Sequence, residues 1–212
     1  MRISDVMTTN VISIPSSTTL AEARKIMDIH HYRRLPVIDR GKLVGIVTKD
    51  GLDKMGPSKL SSLDLHELAY MVNTIKVKEV MHKEVVTAPS DTYIDDAIAL
   101  VQDKRVGMLI VVDDGTVVGV ATTQDIFYKI VNPVFGVKIP GRRIYVENCA
   151  EGADIEKVMG AIKDNKMIIT AQFSAILPEF NRKSLVIQLQ GENYAKCIDA
   201  IKKMGYNIIE KI

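Results

Sequence analysis

Apolar residues at Leu20, Ala23 and Met27 recur three and four apart, the spacing of one buried face of an α-helix. At its entry, Thr19-x-x-Glu22 has capping-box spacing, with hydroxyl and carboxylate each satisfying a backbone amide of the first turn. Around this helix the period shortens. Val11 to Ile14 reads as a short strand. Leu35 to Ile38 and Leu43 to Val47 read as the strands of a hairpin joined across Asp39-Arg40-Gly41-Lys42. A second short helix completes a β-α-β-β-α unit.

The same pattern returns later in the chain. The segment Ile3 to Leu52 recurs without gaps as Val77 to Ile126, at the 74-residue offset that carries Met7 onto Met81. The offset also superimposes Pro15 on Pro89, Ala23 on Ala97, Asp39 on Asp113, Gly41 on Gly115, Gly45 on Gly119 and Thr48 on Thr122. One such unit of ~50 residues buries too little apolar surface to be stable alone, so the copies are expected to pack as a pseudo-twofold pair with clefts between them. Between the copies, Leu68, Met71, Val72 and Ile75 have helical spacing and predict a connector helix.

After Asn132-Pro133 the repeat ends, and a Gly-, Pro- and Arg-containing stretch reads as a linker. Arg143 to Glu147 then alternates as a strand, followed by a helical stripe at Ile155, Val158, Met159 and Ile162. Lys166 to Leu177 reads as a long strand, Pro178 to Lys183 as a turn, and Leu185, Ile187 and Leu189 as a further strand. A second helical stripe at Tyr194, Cys197, Ile198 and Ile201 ends at Gly205, before a last strand from Asn207. The order β-α-β-β-α-β is the ferredoxin-like arrangement. The chain therefore divides into a first repeat (1–56), a connector (57–76), a second repeat (77–132), a linker (133–141) and a C-terminal domain (142–212), a mixed α/β (α+β) fold.

Composition narrows the function classes. With 212 residues and 47% apolar content the chain can bury substantial cores. Its longest apolar runs, such as Met108 to Val112, fall far short of the ~20 residues of a membrane span, so a cytoplasmic protein without membrane insertion is expected. A net charge of +2 with interspersed signs does not favour nucleic acid. Cys149 and Cys197 belong to no metal-ligand or redox spacing and read as reduced structural thiols. No glycine-rich phosphate loop or nucleophile motif appears, and no metal site is expected. His30-His31, the one close histidine pair, points in two directions on a helix.

The pattern Val-Met followed by Leu-Pro-Val-Ile-Asp-x-x-x-Leu-Val-Gly-Ile-Val-Thr resembles the CBS domain, and the two copies resemble the tandem CBS pair (Bateman module) over about residues 1–131. That resemblance implies a regulatory adenine-nucleotide site in a cleft between the repeats, for AMP, ADP, ATP or an S-adenosyl compound, with no other cofactor required. In the family a Thr/Ser-x-x-Asp motif follows the last strand, its carboxylate accepting from the ribose diol. Thr122-Thr123-Gln124-Asp125 matches it, whereas Thr48-Lys49-Asp50-Gly51 has glycine at the acidic position. The family also places basic residues before the Leu-Pro-Val strand. Repeat one has Arg33-Arg34 there and repeat two Gly107-Met108.

The resemblance thus implies one competent site: Asp125 on ribose with Thr122 beside it, Ile12 and Val120 flanking adenine, and Arg33 and Arg34 on phosphate. The cleft around Gly51, Val86, Gly107 and Met108 is expected to lack both recognition elements. The same residues have plainer readings. Thr122 and Asp125 can cap a helix, Arg33 and Arg34 can form a solvated face, and Ile12 and Val120 can pack a core.

The C-terminal order, with Ala153-Asp154-Ile155 opening one helix and Lys203-Met204-Gly205-Tyr206 closing the other, resembles the ACT domain. Such domains often bind amino acids at the first strand–helix turn, which here offers Asn148, Gly152 and Asp154 but lacks the usual proline. Gly152 is available for a positive φ, and Asn148 or Asp154 for a helix cap. The combination resembles acetoin-utilisation-type regulatory proteins. The expectation is a non-catalytic, allosteric homodimer that binds a nucleotide and signals to an effector enzyme or transporter. The alternative is a constitutive dimerisation module without nucleotide.

Overall fold

The computed structural model describes residues 1–54, 72–149, 151–177 and 182–211. They form two compact units, Met1–Ile126 and Phe127–Ile212. The expected connector positions Leu68 and Met71 lie outside the described residues. Ile75, at the connector's end, packs against the core of the first repeat.

The first repeat contains α1 (Leu20–His30), the hairpin β1 (Arg34–Asp39) and β2 (Lys42–Thr48), and α2 (Lys49–Lys54). The capping box forms as its spacing predicts: Glu22 N–H donates to Thr19 Oγ1 (3.2 Å), and Thr19 N–H donates to Glu22 Oε2 (2.8 Å). Leu20, Ala23 and Met27 are buried against Leu35, Val37 and Val47. Arg40 and Gly41 take φ of 50° and 78°, the twist of a two-residue turn with both central residues left-handed. The expected strand at Val11–Ile14 shrinks to one parallel bridge between Ile14 and Val37.

In the second repeat, β3 (Thr87–Ala88) runs parallel to β4 (Met108–Asp113), which pairs with β5 (Thr116–Thr122) across the same turn at Asp114-Gly115. α3 (Ile94–Asp103) precedes β4, and α4 (Thr123–Ile126) follows β5. Both hairpins carry their register shift at the same place, after Val37 and after Val111.

The two repeats exchange their leading segments. Thr8 N–H donates to Val120 O (2.8 Å) and Val120 N–H to Thr8 O (3.0 Å). The same pair recurs between His82 and Ile46, each bond 2.9 Å long. Ile3 N–H donates to Thr92 O, and its counterpart Val77 N–H to Thr18 O. Val77 is fully buried in the core of the first repeat, although it belongs in sequence to the second. Glycine permits this approach. A Cβ on Gly45 would lie 2.7 Å from Met81 Sδ and 2.9 Å from His82 O, and one on Gly119 would lie 2.5 Å from Met7 Sδ.

Each repeat also pins the loop before its first helix with an aspartate from the hairpin turn. Ser16 N–H donates to Asp39 Oδ1 and Ser90 N–H to Asp113 Oδ1, both at 2.9 Å. Side-chain and backbone hydrogen bonds from these serines hold both carboxyls below the ordinary carboxylate range.

The second unit has β6 (Arg142–Glu147), α5 (Gly152–Asp164), β7 (Ile168–Leu177), β8 (Arg182–Gln190), α6 (Tyr194–Lys203) and β9 (Ile208–Lys211), the expected βαββαβ order. Its antiparallel sheet runs β7-β8-β6-β9. Ile144, Val146, Leu185, Ile187 and Leu189 form one core with Val158, Ile162, Cys197, Ile198 and Ile201 of the helices. Gly205, with φ of 93°, follows the last turn of α6. Residues 133–141 lie against the same sheet. Gln188 Nε2 donates to Ile139 O (2.5 Å), Arg143 Nη2 donates to Gln188 Oε1 (2.8 Å) and to Phe135 O, and the Phe135 and Phe173 rings stand 4.4 Å apart.

Gly45→Ala is expected to lower stability by about 1–3 kcal/mol in denaturant unfolding, because a backbone carbonyl blocks the new methyl. Gly152→Ala, with no heavy atom within 4 Å of the new methyl at the start of α5, is expected to be neutral or stabilising by up to about 1 kcal/mol. The contributions of Asp39 and Asp113 are complete above the unfolded carboxylate pKa of ~3.9 and are lost as pH falls through their depressed folded values. Asp39→Asn and Asp113→Asn should therefore flatten the acid limb of stability measured between neutral pH and pH 2.

Candidate functional site

Where β5 gives way to α4, Thr122 and Asp125 form a closed pair. Thr122 Oγ1 donates to Asp125 Oδ2 (2.6 Å), Thr122 N–H donates to the same oxygen (2.9 Å), and Asp125 N–H donates back to Thr122 Oγ1 (3.2 Å). This is the helix-capping geometry that the residue types also allowed. A third group reaches the pair from the exchanged segment: Thr8 Oγ1 donates to Asp125 Oδ1 (3.2 Å) across 117 residues of sequence. Asp125 therefore sits on the seam between repeats. Thr8 was not singled out by its residue type. The repeat offset pairs it with His82, and only the long-range backbone bridge to Val120 reveals its place.

The first repeat keeps half of this arrangement. Gly51 N–H donates to Thr48 Oγ1 (3.0 Å), but no carboxylate stands at position 51 to complete it. The neighbouring acids are engaged elsewhere. Asp50 Oδ1 accepts from Arg33 Nη2 (2.8 Å), with both side chains about two-thirds exposed, and Asp53 accepts from Arg24.

Of the other candidate residues, Val120 pairs with Thr8 through its backbone and is 8% exposed. Ile12 is half-buried and packs against the first-repeat core. Arg34 lies at the entry to β1, and its guanidinium rests over Gly107, where a Cβ would be 2.6 Å from Nη2. There Arg34 lines a cavity of about 680 Å³ together with Thr48, His82, Lys83, Arg105 and Met108. The cleft around Gly107 and Met108, expected to lack both recognition elements, is thus supplied with an arginine from the opposite repeat. The cause is steric: Gly107 has no side chain to keep the guanidinium away.

The strand–helix turn of the second unit places Asn148 in the left-handed region, with φ of 55°, and buries Cys149 completely. Gly152 does not use the positive φ that glycine allows and serves as the first residue of α5. Asp154 does not cap that helix. Its Oδ1 accepts from Tyr206 Oη (2.7 Å), a bond that pushes the phenol up to about 12. Both thiols are pushed up by burial in the core and suit packing rather than nucleophilic attack. Among the described residues no cluster of His, Cys, Asp or Glu suits a metal ion, and no helix is long and apolar enough to cross a membrane.

The family model for the CBS domain matches residues 3–54 and again 77–132, the two units related by the 74-residue offset. The chain belongs to the CBS domain family. Its CBS pair is similar to a putative acetoin utilization protein from Vibrio cholerae, with a TM-score of 0.54 and 26% identity over 62% of this chain and 91% of that one. It is also similar to the CBS domain pair of protein MJ0100, crystallised in complex with 5'-methylthioadenosine and S-adenosyl-L-methionine. That match has a TM-score of 0.50 and 28% identity, covering 65% of this chain and 98% of that one. An inosine-5'-monophosphate dehydrogenase from Thermoplasma acidophilum is 32% identical over 121 residues, 57% of this chain but 22% of the enzyme, and the likeness concerns the CBS region. The chain spans less than half the length of the curated relatives it matches.

Proposed function

We propose that the chain is a non-catalytic regulatory sensor whose CBS pair binds an adenine nucleotide or S-adenosyl compound and signals through its C-terminal ACT-like domain. The observation that carries this reading is the Thr122–Asp125 pair held on the inter-repeat seam by Thr8. A carboxylate has about four acceptor sites, so it can cap a helix and still accept from a vicinal diol. The ribose would sit on Asp125 beside Thr122, with Ile12 and Val120 flanking adenine and Arg33 drawn to phosphate, whereas Arg34, whose guanidinium lies over Gly107 in the other cleft, is not assigned to this ligand. Arg33 is available because its hydrated ion pair with Asp50 contributes little. The adenosine compounds bound by the MJ0100 pair support this ligand class.

The same bond suggests how binding becomes a signal. A diol that donates to Asp125 competes with Thr8, the side chain by which the exchanged segment of repeat one meets repeat two. Occupancy then favours one relation of the repeats over another, which is the differential affinity that allosteric coupling requires. Within this reading the sensor is a cytoplasmic homodimer, its target an effector enzyme or transporter. The turn at Asn148, Gly152 and Asp154 serves contact or dimerisation rather than amino-acid capture, since Asp154 is committed to Tyr206.

A constitutive interaction module is the second reading. It is favoured by the cap that Asp125 already forms without any ligand.

Titration calorimetry with AMP, ADP, ATP and S-adenosylmethionine separates the two. Loss of a hydrogen bond to a charged acceptor is worth about 1.5–3 kcal/mol, so Asp125→Ala should weaken the preferred ligand roughly 10- to 150-fold. Arg33→Ala should weaken ATP more than 5'-methylthioadenosine. Because Asp125→Ala also removes a cap worth about 1 kcal/mol, its folded state is to be confirmed by denaturant unfolding. Unchanged affinity in a folded Asp125→Ala protein would refute the site, and failure of all four ligands to bind would favour the constitutive module.

A further inference from the structure

The sulfurs of Met7 and Met81 hold equivalent places on the two seams of the CBS pair. A Cβ on Gly119 would lie 2.5 Å from Met7 Sδ and 3.0 Å from its Cγ, and one on Gly45 would lie 2.7 Å and 3.0 Å from the same atoms of Met81. Each thioether thus fills the space of an absent side chain on a strand of the opposite repeat. The residue that follows each methionine makes the backbone bridge, Thr8 with Val120 and His82 with Ile46. Sulfur packing and segment exchange are therefore coupled within one residue of each other.

Both side chains are half-buried, and Met81 lines the cavity of about 680 Å³, large beside the ~30 Å³ that a water molecule occupies. A small oxidant can enter there. Other methionines are placed differently: Met27 and Met167 are buried inside the two cores, whereas Met1 and Met204 are exposed, where an added oxygen meets water. A thioether packs on a glycine by dispersion, but a sulfoxide carries a strong dipole and an acceptor oxygen that needs a donor. The glycine saddles offer the wrong group. His82 O stands 2.9 Å from the Cβ position of Gly45, and Thr8 O stands 3.2 Å from that of Gly119, so a sulfoxide oxygen turned inward meets a carbonyl oxygen. Repulsion drives the side chain off the glycine and leaves its packing space empty, which itself costs stability.

We propose that Met7 and Met81 are sites of reversible oxidation by a hydroperoxide, and that their sulfoxides release the exchanged segments from the opposite repeats. A sulfur lone pair attacks one peroxide oxygen, the S–O bond forms as the O–O bond breaks, and sulfur gives up two electrons. With hydrogen peroxide, the proton on the transferred oxygen passes to the departing hydroxide, which leaves as water. Reduction by a dithiol through a methionine sulfoxide reductase returns the thioether, with a disulfide and water as products. Release at Met81 parts His82 from Ile46, and release at Met7 withdraws Thr8 from Val120 and from the Asp125 carboxylate. The relation between repeats then responds to peroxide whether or not a nucleotide binds.

The test treats the full chain with hydrogen peroxide, follows each methionine by peptide mass spectrometry and reads the seams by amide hydrogen exchange. Oxidation of Met7 and Met81 in the folded chain is expected to speed exchange at Thr8, Ile46, His82 and Val120 about tenfold or more, and to leave Ile144 and Ile187 of the second unit unchanged. Treatment with a methionine sulfoxide reductase and dithiol should restore slow exchange. A chain made with norleucine, which carries a methylene in place of sulfur, should show slow exchange and ignore peroxide, although Cys149 and Cys197 remain. Met7→Leu/Met81→Leu should ignore it too while Met1 and Met204 still oxidise. The proposal is overturned if both thioethers survive until the chain unfolds globally, or if both sulfoxides form with exchange unchanged at the four seam amides. The same acceleration in the norleucine chain or the double variant would overturn it as well.

Discussion

The constraint on which the CBS pair depends is the exchange of leading segments. Thr8 joins the edge of the second hairpin and His82 joins the first, so each repeat completes its sheet and core with backbone from the other. Val77, buried in the first-repeat core, makes the dependence concrete. Unpaired edge groups and an exposed core flank would follow if either repeat stood alone, and both are costly. The glycines at 45 and 119 recur at the repeat offset, and at each a Met sulfur and a backbone carbonyl crowd the place a Cβ would take.

The exchange also decides where chemistry can occur. Side chains at the end of β5 meet the segment from the other repeat, so Asp125 touches Thr8 and a ligand there bears on both copies at once. The opposite cleft is built by the same symmetry from different residues. One seam carries a carboxylate fixed by hydroxyls, and the other carries Arg34, Lys83 and Arg105 around a side-chain gap at Gly107. A duplicated fold has thus become two unlike surfaces through a few substitutions at equivalent positions: Gly51 for Asp125, Arg34 for Met108 and Gly107 for Arg33.

Features with local causes were legible in the sequence. The α1 capping box, the two hairpin turns and the βαββαβ order all follow from contacts within a few residues or from simple periodicity. The strand expected at Val11–Ile14 was not realised beyond Ile14, because a short apolar run does not say which partner its backbone will find. Arg34 illustrates the same limit at the site. Its type announces anion recognition, but the cleft it enters is decided by the missing side chain of Gly107 across the interface. At Asp125 the residue types allowed both a cap and a ligand contact, and the cap is present in the geometry. The turn at Gly152 read as a place for positive φ, whereas the left-handed residue is Asn148.

In the proposed function the inter-repeat seam at Asp125 is a ligand site as well as a helix cap. A crystal structure of the chain grown with S-adenosylmethionine or AMP tests it most directly. Ribose hydroxyls are expected within hydrogen-bond distance of Asp125, with adenine between Ile12 and Val120 and the Thr8 hydroxyl displaced from the carboxylate. A ligand bound elsewhere, with the Thr8–Asp125–Thr122 cluster unchanged, would contradict it.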